Sequence, residues 1–211
     1  MINVDYLYED SEIGNSIEDS QIAELLIDPL KPLYFNFEGW LARTINQIKI
    51  GRKVAVGAWP GKSKSEGLRG ICIIKKVSNS ILEIKTLFVK EYYRGRIVDF
   101  STGESGKIGD QLLKLVYRLA KQQDFESILI DIPANNIRLL RFLISHDFYF
   151  QLKHDNFGST YYRLKKDISN IYSDDVFDPQ LFSKWILKSI GVGTITEKSN
   201  IPVRENNAKN V

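Results

Sequence analysis

The residues best placed to do chemistry are two glycines and a lysine at the head of a patterned segment, STGESGKIGDQLLKLV, Ser101 to Val116. Gly106, Lys107 and Gly109 precede apolar residues at helical spacing. A helix that opens at a glycine-bearing turn presents free backbone N–H groups and a positive dipole end. Both suit a phosphate or a diphosphate. The nucleotide-hydrolase loop G-x-x-x-x-G-K-[ST] does not fit. Its first glycine falls on Ser101, and its magnesium-binding hydroxyl falls on Ile108. The phosphates this loop cradles belong to some other ligand.

The chain has 211 residues, with 43% hydrophobic and 26% charged residues and a formal net charge of +3. That suits one domain with a proper core and gives no argument for nucleic acid. Charge is unevenly spread. Residues 1–30 carry eight acids and no base, and residues 38–76 carry nine bases and two acids, 9 − 2 = +7. Such runs are ordinarily solvated faces; the sharper expectation is a basic rim that attracts an anionic cofactor or partner. The single cysteine, Cys72, lies in the apolar run ICII and reads as core, which excludes a disulfide framework. No signal peptide or membrane span is evident, so a cytoplasmic protein without a membrane partner is expected.

The elements that must position the loop follow from periodicity. INVDYLY alternates as a strand, and SIEDSQIAELLI continues at helical spacing from Ser16. FEGWLARTINQIKI is a second helix. KVAVGAW, GLRGICIIKKV and ILEIKTLFVK are three strands, the last two joined at 78–80. KIGDQLLKLVYRLAKQQ is a strongly amphipathic helix, SILIDI a short strand of the buried type, and NNIRLLRFLISH another helix. FYFQLKH and STYYRLKK form a terminal hairpin. The order implies an α/β (α+β) domain over residues 1–168, built around one mixed sheet. Residues 169–211 are expected to be a C-terminal helix, with Asp178 as its cap, and then a disordered tail.

LFVKEYYRG, KIGDQLL and NNIRLLRFLISHDFYF together resemble the GNAT superfamily of acyl-CoA-dependent N-acetyltransferases. Its signature is Q/R-x-x-G-x-G/A between a strand and a helix, and the likeness spans roughly residues 1–166. It implies a GNAT-like, mostly antiparallel central sheet flanked by helices. It implies acetyl-CoA as co-substrate, with contacts from Leu87, Phe88, Val89, Arg94, Gly95, Lys107, Ile108, Gly109, Asp110 and Asn136. The pattern is departed from in three places. About ten extra residues, RIVDFSTGES, lie between Arg94-Gly95 and Lys107-Ile108-Gly109. Lys107 replaces the first signature glycine. In the helix from Asn136, Leu143 stands where the family's tyrosine acid would be, and Asp147 replaces a glycine. The inserted segment 96–105 is expected to be a mobile flap over the diphosphate.

Acetyl transfer needs a neutral amine, and an alkyl ammonium has a pKa near ~10.4, so a base must take a proton. By the resemblance that base is Glu83, on the strand LEIKTLFV; regular alternation would put 83, 85, 87 and 89 on one face. The bland reading is a solvated strand carboxylate. Tyr149 is the substitute for the missing acid. His146 and His154 stand by a helix end and a turn, with no ligand cluster for a metal. Trp40, Trp59, Trp185, Tyr161 and Tyr162 read as packing residues. The acceptor is an unidentified amine, and a homodimer is left open. The alternatives are a catalytically impaired acyl-CoA-binding or partner-binding module, and a toxin-like enzyme acting on aminoacyl-tRNA, to which the basic 38–76 stretch lends slight support.

Overall fold

Alternating and helical patterns condense in the expected order, with one addition. The computed structural model describes residues 1–7, 16–33, 36–61, 66–156 and 158–168. Its elements are β1 (Ile2–Tyr6), α1 (Ser16–Leu30), α2 (Phe37–Lys49), β2 (Val54–Pro60), β3 (Gly70–Lys76) and β4 (Ile81–Val89). After these come β5 (Val98–Asp99), β6 (Ser105–Gly106), α3 (Ile108–Gln122), β7 (Ser127–Pro133), α4 (Ile137–Ile144), β8 (Tyr149–Asn156) and β9 (Ser159–Asp167). The expected C-terminal helix, Trp185 and the tail lie outside the described residues. No described helix is long and apolar enough to cross a membrane.

Seven strands form one sheet in the order β1-β2-β3-β4-β7-β9-β8. Neighbours are antiparallel except β4 and β7, which run parallel. A parallel pair needs a crossover, and α3 supplies it. The helix covers the sheet with Ile108, Leu112, Leu113, Val116 and Ala120, all buried. Burial of each larger side chain stabilises by about 1.5–3 kcal/mol, which explains why so strong an amphipathic stripe fixes the crossover. Gly70 lies beneath it; a Cβ there would stand 3.0 Å from Ile108 Cγ2. On the other face, Ile22, Leu25 and Leu26 of α1 and Phe37 and Ile48 of α2 pack on Ala55, Trp59, Ile71 and Ile73. The Trp59 indole donates to Gln21 Oε1 at 3.0 Å, so its polar edge is satisfied inside that core. Cys72 is buried as anticipated, and burial pushes its thiol pKa far up.

The half of the sheet formed by β7, β9 and β8 is two-sided in a different way. Ile128, Ile130, Ile132, Tyr162, Leu164 and Lys166 are buried on the α3 face, while Leu129, Asp131, Arg163 and Lys165 on the opposite face stay partly exposed. Period-two burial of this kind is the pattern of strands with one face on the core and the other partly open to solvent.

The addition is the inserted segment. Residues expected to be a loose flap instead form the β5–β6 hairpin, with Val98 opposite Gly106 and Asp99 opposite Ser105. Its tip is fastened to β1. Phe100 is 3% exposed and bridges Ile2, Ser101 N–H donates to the Ile2 carbonyl at 2.9 Å, and Ser101 Oγ to Asn3 Oδ1 at 3.0 Å. The Ser, Thr and Gly content that suggested mobility serves a tight turn, where Gly103 has φ +84°. The apolar anchor was a single phenylalanine without any period to betray it. Phe100→Ala is expected to lower stability by about 3 kcal/mol, the usual loss for a buried phenylalanine, in urea denaturation. A loss under about 0.5 kcal/mol, the size expected of a surface position, would mean the hairpin is not anchored.

Candidate active site

The site begins with an interruption in the sheet. β4 and β7 pair only from Ile81 with Ser127 to Ile84 with Ile130. Beyond that point β4 continues to Val89 along β3, and β7 continues to Pro133 along β9. Their facing edges, Lys85–Val89 and Asp131–Pro133, have no strand between them among the described residues. The parting coincides with a bulge: Ile73 pairs with Thr86 and Ile74 with Ile84, leaving Lys85 as the extra residue. A bulge bends its strand and sharpens the twist, which turns β4 away from β7. Unpaired backbone groups at an inner edge suit an extended ligand that carries its own amides.

That bulge corrects one expectation. Lys75 faces Glu83 across the strands, Ile73 faces Thr86 and Ile71 faces Phe88. Glu83 therefore shares its face with Thr86 and Phe88, and Leu87 and Val89 point to the α3 side. Glu83 Oε1 accepts from Lys85 Nζ at 2.9 Å, and its side chain is only 14% exposed. It is neither the freely solvated carboxylate of the bland reading nor on the face of Leu87.

The wide end of the gap runs into the head of α3. Asn36 and Asn136 cap α2 and α4, accepting from Gly39 N–H at 2.9 Å and Leu139 N–H at 3.2 Å. Lys107, the N-cap of α3, makes no side-chain cap bond, and a lysine has no acceptor with which to make one. The first N–H groups of α3, at Ile108, Gly109 and Asp110, thus lack an intrahelical partner. Between β4 and α3 the chain turns at Gly95, whose φ of +74° a side chain would strain. Arg94 Nε donates to the Val89 carbonyl at 2.7 Å and its guanidinium lies 4.8 Å over the Phe88 ring. Arg138, in the first turn of α4, donates to the Arg94 carbonyl at 3.3 Å. Burial, and then the like charge of Arg138, hold the Arg94 guanidinium below its ordinary pKa, with Glu91 opposing. Arg94 and Arg138 are thus drawn together beside the chain that leads from β4 to α3, and guanidiniums and free helix N–H groups are both suited to an anion. Leu87, Phe88 and Val89 lie on the β4 edge of the gap, Arg94 and Gly95 in the chain that follows it, Lys107 to Asp110 at the head of α3, and Asn136 at the cap of α4.

Gly109 has a role that spacing alone did not reveal. Its missing Cβ would meet Phe142 Cζ at 3.0 Å, so it faces α4 and permits the two helices to approach. Asp110 Oδ1 lies 3.0 Å from His146 Nε2 at the far end of α4. There Lys166 Nζ, on a side chain 7% exposed, donates to the His146 carbonyl at 2.8 Å and to Asp147 at 3.0 Å. These contacts fix α4, and with it Asn136 and Arg138, against the head of α3.

Tyr149 is not brought to the gap. It begins β8, two strands beyond β7, and its hydroxyl donates to Asp167 Oδ2 at 2.7 Å. Two inter-strand spacings put it roughly 9–10 Å from β7. The sequence singled out neither Asp131 nor Arg163, and placed His154 only by a turn. Asp131 is the first β7 residue past the last β4 pair, on the Glu83 face. Arg163 grips it with Nε and Nη2 at 2.7 Å each, and His154 Nε2 lies 3.4 Å away, beyond a good hydrogen bond. His154 also stacks on Tyr161, at 5.7 Å between ring centroids. The available signal was one acid inside the apolar run SILIDI.

Burial pulls the Asp131 carboxyl pKa up, but the Arg163 fork and His154 outweigh it and hold it below its ordinary value. A depressed carboxylate stabilises the fold above its unfolded pKa of about 3.9 and loses that contribution as pH falls through the folded value. Stability should therefore drop below about pH 4, and Asp131→Asn should flatten that acid limb in denaturation at several pH values. Gly109→Ala should destabilise by about 1–3 kcal/mol through overpacking, and Phe142→Leu in the same chain should recover much of it. Equal stability of Gly109→Ala and wild type would exclude the close approach.

No protein-family model and no curated protein matches the sequence. Solved structures do match the architecture. An acetyltransferase of the GNAT family from Staphylococcus aureus is 16% identical, with a TM-score of 0.59 over 80% of this chain and 99% of its own. NAA60 of Arabidopsis thaliana, in complex with acetyl-CoA, is 18% identical, with a TM-score of 0.59 over 81% and 100%. The ribosomal-protein-S18-alanine N-acetyltransferase of Escherichia coli is 10% identical, with a TM-score of 0.58 over 84% and 100%. Identities this low speak for architecture, and in its seven-stranded mixed sheet and flanking helices the chain has the fold of the GNAT acetyltransferases.

Proposed function

We propose that the protein is an N-acetyltransferase that moves an acetyl group from acetyl-CoA to an amine. The observation that carries this is the β4–β7 gap leading to the uncapped head of α3. The gap offers strand edges to the amides of a pantetheine arm. The α3 N–H groups, with Arg94 and Arg138, offer charge and donors to a diphosphate. Acetyl-CoA complexes among the similar folds, from Arabidopsis thaliana and from Elizabethkingia anophelis, support the same assignment.

Acetyl-CoA bound there supplies a thioester whose acetyl carbon is the electrophile. The amine adds to that carbon, a C–N bond forms, and the C–S bond breaks. Because α3 occupies one face of the sheet, the acceptor approaches from the other, where Glu83, Thr86 and Asp131 lie beside the narrow end of the gap. Glu83 is our assignment for the group that takes the amine proton. Asp131, gripped by Arg163, holds the β7 edge in place. The C–S electron pair leaves on sulfur as a thiolate, whose conjugate thiol has a pKa of about 8.5 by analogy with cysteine, and such a group departs with modest help, so the distance of Tyr149 does not forbid turnover. The aminoacyl-tRNA alternative rests on the basic stretch alone, and three of its bases are turned to contacts within the fold: Lys49 pairs with Asp19, Arg69 stacks on Tyr93, and Lys76 sits over Phe125.

Calorimetric titration with acetyl-CoA, followed by a transfer screen over amines, tests the assignment. Glu83→Gln should leave acetyl-CoA affinity intact and lower turnover by on the order of 10²-fold, with the loss shrinking at high pH, where more amine is already neutral. Binding without transfer to any acceptor would favour the non-catalytic module instead. An unchanged rate at pH 7 would return Glu83 to a structural charge.

A further inference from the structure

We propose that Lys53, Lys75 and Lys85 form an anion seat on the acceptor side of the sheet, and that the acceptor is an amine that also bears a carboxylate or phosphate. This rests on the acetyl-transfer reading for its amine, but the seat itself stands on independent geometry.

Three adjacent strands bring the lysines together. Lys75 lies opposite Glu83, and Lys53 immediately precedes Val54, which pairs with Ile74, the neighbour of Lys75. The bulge keeps Lys85 beside Glu83, at 2.9 Å. Lys53 is half-buried, and its ammonium donates to Thr44 Oγ1 at 3.2 Å, on a residue only 2% exposed. Lys75 and Lys85 are exposed. Burial first, then Lys85 and Lys75, lower the Lys53 pKa, with Glu83 opposing; the three ammoniums are thus within electrostatic reach of one another.

Their charges do not balance. Among the described residues Glu83 is the carboxylate in ion-pair contact with the trio, and Arg163, which also feels Glu83, is already committed to Asp131. Three cations against one anion leave +2. A sheet selected for stability alone would set opposite charges across the strands, since like charges directly opposite are destabilising. Like charges gathered with one carboxylate next to a gap mark a site that waits for an anion. Ammoniums act as point charges without a planar fork, so carboxylate and phosphate suit them alike. The row holding Lys75 and Glu83 lies one residue short of the last β4–β7 pair. An anion seated there brings an attached amine to Glu83 and to the narrow end of the gap.

The test compares β-alanine with its amide, and 2-aminoethyl phosphate with ethanolamine, at saturating acetyl-CoA, with rates referred to the neutral amine. Wild type should prefer the anionic member of at least one pair by about tenfold or more in kcat/KM, and the stronger pair identifies the anion. Lys75→Gln and Lys53→Gln should cut that preference several-fold through KM, with kcat for the neutral member and acetyl-CoA affinity unchanged. Equal rates within both pairs, or a preference untouched by both substitutions, overturns the seat. Direct titration of 2-aminoethyl phosphate and β-alanine separates the two readings. If either binds wild type and Lys75→Gln weakens it while acetyl-CoA does not bind, the seat stands and acetyl transfer falls. If acetyl-CoA binds and neither probe does, the seat is wrong and the acetyl-transfer reading survives.

Discussion

Between β4 and β7 the hydrogen-bond ladder ends at Ile84 and Ile130 while both strands run on. Strand edges left unpaired inside a sheet are costly when buried, and every nearby feature either tolerates that interruption or exploits it. The bulge at Lys85 makes the parting stereochemically easy, because an extra residue on one strand increases its twist. β3 and β9 keep the outer edges paired, so each strand is held from one side only. Arg94 satisfies the Val89 carbonyl from outside the sheet. The interruption is thus a stable part of the fold, supported from both flanks.

Holding the gap open is the work of α3 and α4. α3 spans from the end of β4 to the start of β7, and its buried stripe pins it over the sheet. α4 is packed against it through the Gly109–Phe142 approach and the Asp110–His146 contact. Arg138 then reaches the Arg94 carbonyl, tying the end of β4 to the first turn of the helix that follows β7. The two sides of the gap are therefore connected through helices and a loop, where a continuous sheet would connect them by a ladder. A small residue at 109 matters for this linkage as much as for any approach to a phosphate.

The order of elements was legible because α3, α4 and the strands each carry a strong period that agrees with their final burial. The uncapped helix head was legible too, as Gly106, Lys107 and Gly109 before an apolar stripe. What escaped has a common physical cause: it depends on register. A one-residue bulge at Lys85 moved Glu83 away from Leu87 and next to Thr86, and nothing in LEIKTLFV marks where an extra residue falls. The partner of Asp131 is Arg163, thirty-two residues away in sequence, found only once β7 and β9 pair. Phe100 was hidden because a short hairpin buries one side chain and so has no pattern to show.

Charge shows the same dependence on assembly. A net of +3 describes neither end of the site. The acidic start of the chain is partly spent in the fold, with Asp19 on Lys49 and Glu24 on Lys90. These pairs quench bases beside the apolar packing of α1 and α2 and at the end of β4. Arg94 and Arg138 at the mouth of the gap, and Lys53 and Lys75 on the Glu83 face, have no carboxylate in ion-pair contact among the described residues. Exposed pairs contribute little to stability, so their placement reads best as control of the field around a site. One positive region lies at the mouth of the gap, where Arg94 stacks on Phe88, and the other lies on the Glu83 face beside the narrow end. Two anionic groups held at the two ends of one opening would be brought close together, and that is the geometry a transfer between two bound molecules requires.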